Sequence, residues 1–125
     1  MEAIGILSQL HKYIRRHFIN IPLTRAHLNM VLLNYARELF IIRQFHKAIE
    51  IAEEGQKVCL DYGHYLSLPG LLTIQAESHY FIGNDRKSRD LYRQAFYLTK
   101  VVGNEYSLQV LRENAKEYLG MEFPD

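Results

Sequence analysis

Apolar residues recur at steps of three and four along nearly the whole chain, which is the period of an amphipathic helix. Ile4, Leu7, Leu10, Ile14 and Phe18 form the first such stripe and predict a helix over residues 3–18. Asn20, Ile21 and Pro22 interrupt it. Proline is well placed in the first turn of a helix, so a second helix is expected from Pro22 to Ile42. A third covers Phe45 to Cys59. The stretch "DYGHYLSLPG", residues 61–70, holds the densest turn signals in the chain, and a fourth helix follows from Leu68 or Leu71 to Phe81. Gly83 suits the left-handed conformation that ends helices, and Asn84 or Asp85 suits the cap of a fifth helix running to Val102. Gly103 and Asn104 repeat the device before a sixth helix, Glu105 to Leu119, which stops at Gly120. No segment carries a convincing strand pattern.

Small residues fall on these helices at regular places. Leu32, Ala36 and Leu39 precede a turn at Arg43, then come Phe45, Ala48, Ala52 and Gly55. Forty residues later stand Leu72, Ala76 and His79, a turn at Gly83, then Asp85, Ser88, Tyr92 and Ala95. Leu111, Ala115 and Tyr118 make a partial third copy. This is the tetratricopeptide pattern, in which only a small side chain lets two helix backbones approach. Asp85 stands where that pattern has an aromatic residue, His79 where it has a large apolar one, and the 40-residue period exceeds the usual length of about 34. The expected fold class is all-α, a right-handed α-solenoid of tetratricopeptide-like hairpins with about six helices. Its parts are a leading helix of an incomplete repeat (1–20), a first repeat (22–60), a second (68–102) and a capping helix (104–120).

Composition narrows the function. With 125 residues, 48% hydrophobic and 23% charged, the chain is long enough to bury a core. No apolar run exceeds four residues, and the first residues place an acid before the apolar stretch, the reverse of a secretory signal; a cytoplasmic location and no membrane partner are expected. One cysteine, Cys59, is expected to fill core space. The net charge of +1 argues against direct nucleic-acid binding by this chain. Two basic clusters, His11, Lys12, Arg15, Arg16 and His17, and then Arg86, Lys87, Arg89 and Arg93, are expected to be solvated helix faces. In the second, Asp85 and Asp90 fall four residues from Arg89 and Arg86 and so at ion-pair spacing. No two of the six histidines have the four-residue spacing that would put them on one helix face as metal ligands. No phosphate loop or serine elbow occurs. Neither catalysis nor a cofactor nor a metal is expected.

The phrases "LLNYARELFIIRQFHKAIEIAEEG", "LPGLLTIQAESHYFIGN" and "LYRQAFYLTKVVGN" resemble the C-terminal tetratricopeptide-like region of Gram-positive helix-turn-helix transcriptional regulators, the group containing the Rap, Rgg, NprR, PlcR and PrgX peptide-pheromone receptors. The resemblance implies a quorum-sensing transcription regulator's ligand-binding and dimerisation domain. It implies a homodimer, a short signalling peptide on the concave face, and DNA contact only through an N-terminal domain that this chain does not contain. The alternative is a stand-alone scaffold module that binds a segment of a partner protein.

In such a solenoid the first helix of each pair lines the concave face at positions interleaved with the packing landmarks. These are Met30, Leu33, Asn34, Arg37, Phe40 and Ile41 in the first copy. They are Thr73, Ile74, Glu77, Tyr80 and Phe81 in the second, and Arg112, Glu113 and Lys116 in the third. Asn34 is the first choice, because one amide can satisfy both the N–H and the C=O of an extended peptide. Arg37, Arg112 and Lys116 suit a carboxylate. Leu33, Phe40 and Phe81 suit apolar side chains. Each has a second reading: Asn34 as a solvated residue, Phe40, Ile41 and Phe81 as core or dimer contacts, and Arg37 as a partner of Glu38.

Overall fold

The computed structural model describes residues 2–17 and 22–124. Among them are six helices: α1 (Glu2–His17), α2 (Pro22–Ile41), α3 (Phe45–Tyr62), α4 (Leu68–Phe81), α5 (Asp85–Val102) and α6 (Glu105–Leu119). There is no strand among the described residues, and none of the described helices is long and apolar enough to cross a membrane. The chain is all-α. Each helix packs on the next in chain order, and α2 also touches α4. That order is what stacked helical hairpins produce.

Contact from several sides explains the composition of α2 and α4. Helix α4 buries Leu68, Leu71, Leu72, Ile74, Gln75, Ala76 and Ser78, residues around most of its circumference. Helices α3 and α5 are one-sided, with mainly polar outer faces, and their buried sets match at a spacing of 40. Ala48, Ile51, Ala52, Gly55 and Cys59 on α3 correspond to Ser88, Leu91, Tyr92, Ala95 and Thr99 on α5. The small members sit where helices cross. Ala36, Ala48, Ala52, Ala76, Ala95 and Ala115 are completely buried. A methyl group added at Gly55 would lie 2.8 Å from Leu71 Cδ2 and 3.3 Å from Leu32 Cβ, so α3 approaches both α2 and α4 at that point. At Ser88 the hydroxyl takes up the space and donates to the Ala76 carbonyl at 2.6 Å, which satisfies a buried polar group inside the crossing.

The turns repeat as well. Gly83 between α4 and α5 has φ 84°, and Arg43, forty residues earlier between α2 and α3, has φ 64°. The same bend is thus made once by glycine and once by a residue whose Cβ opposes it. Arg43 has an offsetting contact: its guanidinium lies 5.3 Å from the centre of the Phe45 ring and 5.6 Å from that of Phe81. Asn104 caps α6 by accepting from the Ser107 N–H at 3.0 Å. Asn84 occupies the cap position of α5, but its side chain turns back to His79 Nδ1 at 3.3 Å.

Several sequence expectations change here. Helix α3 runs to Tyr62, three residues past Cys59, with a Lys57–Asp61 pair of 2.8 Å on its last turn. Leu10 is exposed, whereas His11 is buried and holds α1 to α3 through Nε2 to Glu54 Oε2 at 2.7 Å. His11 therefore belongs to the packing and not to a solvated basic face. Phe18 and the side chains of Ile14, Arg15, Arg16 and His17 lie outside the described residues. In the second cluster Asp90 pairs with Arg93 at 3.2 Å, while Arg89 donates to the Leu119 carbonyl at 2.8 Å and ties α5 to the end of α6. Cys59 is fully buried, and burial pushes its thiol up to about 11, which makes it inert packing.

Substitutions at two positions test this packing. Ala48→Leu overfills the helix crossing and should cost about 1 to 3 kcal/mol in urea unfolding; an unchanged midpoint would remove Ala48 from the contact. Arg43→Gly and Arg43→Ala both lose the guanidinium, but only glycine relieves the left-handed backbone. The glycine variant should be the more stable by about 1 kcal/mol, and equal stabilities would show that the turn relaxes freely.

Candidate functional site

Stacking the hairpins leaves a groove of about 610 Å³, within the usual range of about 300 to 1,000 Å³ for ligand sites. Helix α4 lies along its floor with α2 and α6 on either side. The α3–α4 connection and the end of α5 close its rim. Leu33, Arg37, Phe40 and Ile41 come from α2; Pro69, Gly70, Thr73, Ile74 and Glu77 from α4; Ser107, Val110, Leu111 and Asn114 from α6. The rim is apolar and open to solvent: Leu66 is 84% and Tyr106 80% exposed, and Ile41, Val102 and Val110 are also exposed.

The expected residues divide clearly. Leu33, Arg37, Phe40, Ile41, Thr73, Ile74 and Glu77 line the groove. Met30 and Asn34 do not; both are exposed on α2, and Asn34 Oδ1 accepts from Arg37 Nη1 at 3.4 Å. Tyr80 and Phe81 belong to an aromatic column at the ends of the hairpins. Tyr80 stacks on Tyr118 with ring centres 4.9 Å apart, and Phe81 stacks on Phe45 at 5.1 Å. Phe40 serves both features, since it also meets Phe45 and Phe81 at 5.5 and 5.9 Å.

The residues expected from the third copy have other work. Arg112 donates to the carbonyls of Phe123 and Pro124 at 3.3 and 2.8 Å and lies 5.1 Å over the Phe96 ring. Lys116 pairs with Glu122 at 3.4 Å, and Glu113 accepts from Gln109 at 2.8 Å. Phe123 stacks on Phe96 at 4.3 Å, so Arg112 and Lys116 hold the C-terminal segment against α5 and α6. The geometric reason is plain. On α2 and α4 the groove residues follow the buried landmarks by one position: Leu33 after Leu32, Arg37 after Ala36, Thr73 after Leu72, Glu77 after Ala76. On α6, across the groove, they precede them: Val110 before Leu111 and Asn114 before Ala115. Facing walls present opposite flanks of the same helical pattern. Ser107, Val110 and Asn114, spaced by three and four, share one flank of α6, but their spacing does not say which neighbour that flank faces.

Glu77 is the polar centre of the floor. Its Oε2 accepts from the Tyr92 hydroxyl of α5 at 3.1 Å and from Asn114 Nδ2 of α6 at 3.0 Å, so one carboxylate oxygen joins three helices. Among the described residues Oε1 has no hydrogen-bond partner. Burial raises the Glu77 carboxyl above the usual carboxylate range, and the two hydrogen bonds pull it partly back. The Tyr92 phenol is raised by burial and then by the neighbouring Glu77 charge, and remains a donor. Arg37 is the other charged side chain of the lining. No group of three or more His, Cys, Asp or Glu placed to hold a metal ion occurs among the described residues.

The raised carboxyl has a signed consequence for stability. A carboxyl that holds its proton more tightly when folded destabilises the fold as pH rises from the unfolded value through the folded one, and the loss reverses on acidification. Glu77→Gln keeps an acceptor for Tyr92 and Asn114 and removes the buried charge. It should melt above the native chain at neutral pH, with the difference closing below the ordinary carboxylate range. A lower melting temperature at neutral pH would contradict the cost of burying this charge.

The chain matches no protein-family model, no curated protein and no solved structure.

Proposed function

We propose that this chain is a peptide-binding helical-repeat domain whose ligand, a short and mainly apolar peptide, lies in the groove formed by α2, α4 and α6. The observation that carries this reading is the groove's combination of an open apolar rim with two separated charged groups, Arg37 and Glu77, in its lining. Sites for small ligands are mostly apolar with a few convergent polar groups. An extended peptide places alternate side chains on such walls, and the terminal or side-chain charges it carries find Arg37 and Glu77.

The regulatory setting comes from the resemblance of the repeat phrases. In this reading the domain is the sensor and dimerisation part of a cytoplasmic transcription regulator, with DNA contact belonging to a separate helix-turn-helix region. Peptide binding would then alter the relation between two copies. A scaffold module would use the same groove on a segment of a larger protein.

Selection of a random peptide phage library on the purified chain, followed by calorimetry of the recovered sequences, tests the groove directly. Gly70→Leu is the informative variant. A Cβ at Gly70 lies 3.1 Å from Leu33 Cδ1, at the end of a flexible side chain, so the larger residue is accommodated at the expense of the groove. It should weaken binding by about tenfold or more, comparable to losing one buried apolar contact of 1.5 to 3 kcal/mol. Lys57→Ala, on the exposed face of α3, should leave affinity unchanged. Failure to recover any ligand, or equal affinity for Gly70→Leu, would overturn the assignment.

A further inference from the structure

We infer that the groove recognises its peptide by the free amino terminus, which Glu77 receives as a salt-bridged ammonium. The inference rests on the peptide-groove reading and deepens it.

The carboxylate is half-satisfied in a directional way. Tyr92 and Asn114, from two different helices, both donate to Oε2 and so fix the rotation of the carboxyl group. Oε1, without a partner among the described residues, is the remaining acceptor, and Glu77 lines the groove. A purely structural role would be served as well by glutamine, which accepts from the same two donors without the cost of burying a charge. The carboxylate gains its use only if a cation arrives.

The lining contains one candidate for an internal cation, Arg37. Its guanidinium is exposed and its Nη1 donates to Asn34 Oδ1, so the protein does not supply a counter-charge to Glu77 from that side. The ligand must bring it. A groove of about 610 Å³ holds only a short segment, so the ends of a short peptide fall within it or at its mouth. The terminal ammonium is the cation that every such peptide carries. It has three donors on a compact head: one meets the free Glu77 oxygen, and the lining holds further acceptors in Thr73 and Asn114 for the others. The surroundings on both sides, Leu33, Ile74 and Leu111, then take the first side chains, and their low polarity strengthens the ion pair.

The test uses the full chain and two versions of one short synthetic peptide library, with free and with acetylated amino termini. Captured peptides are identified by mass and their affinities measured by calorimetry. Ligands should come from the free-amine library and weaken by about tenfold or more on acetylation, the range of one charge-assisted hydrogen bond. In Glu77→Gln the preference for the free amine should fall to about twofold or less, with the fold checked by circular dichroism; the acetylation comparison on the native chain stands even if that variant misfolds. Ligands recovered equally from both libraries would overturn the amino-terminal assignment and leave the groove reading in place. Acetylated ligands that depend on a lysine would likewise overturn it, moving the Glu77 contact to a side chain. Recovery of nothing from either library defeats the groove reading and this inference with it.

Discussion

The close approach of helix backbones at small residues is the constraint on which everything else depends. Where Gly55 meets Leu71 and Leu32, and where Ser88 reaches the Ala76 carbonyl, no larger side chain fits without displacing fully buried neighbours. These contacts fix how far apart α2, α3, α4 and α5 lie, and the small residues that make them recur at a spacing of 40, Ala48 with Ser88 and Gly55 with Ala95. With the spacing fixed, residues of α2, α4 and α6 come to line one groove.

The groove is also where the fold gives up stability. Glu77 keeps a carboxylate partly buried with one oxygen held by α5 and α6, although an uncharged residue of the same shape would satisfy both donors. A carboxyl raised by burial and sitting in a groove is a candidate functional position. Arg43 is a second departure from local preference, but a different one. Its left-handed backbone is offset by stacking of the guanidinium on Phe45 and Phe81, so strain and compensation lie in the same residue. It belongs to the architecture of the turn, next to the aromatic column of Phe45, Tyr80, Phe81 and Tyr118.

The helices were legible in the sequence because their signals are local: three-and-four periodicity, Pro22 at a start, Gly83, Gly103 and Gly120 at the ends. The site was only partly legible because it depends on which flank of a helix faces which neighbour. Counting one position past each landmark leads to Leu33, Arg37, Thr73 and Glu77 on α2 and α4, where the groove lies. The same count on α6 leads to Arg112 and Lys116, which face the C-terminal segment, because α6 stands on the opposite wall. His11 misled for a related reason. It sits among basic residues in the sequence, yet a carboxylate 43 residues away, Glu54, draws it into the interface between α1 and α3. Leu66, an apolar residue in a turn-rich stretch, carried a signal for the rim that periodicity does not weigh.

On the proposed function a ligand meets the groove and not the outer surface of α3 and α5. The most direct measurement is a two-dimensional amide NMR map of the full chain, free and saturated with a peptide selected on it. Shift changes should concentrate at Leu33, Gly70, Thr73, Glu77, Val110 and Asn114. Changes concentrated instead on the outer faces of α3 and α5, with these amides unmoved, would contradict the proposal.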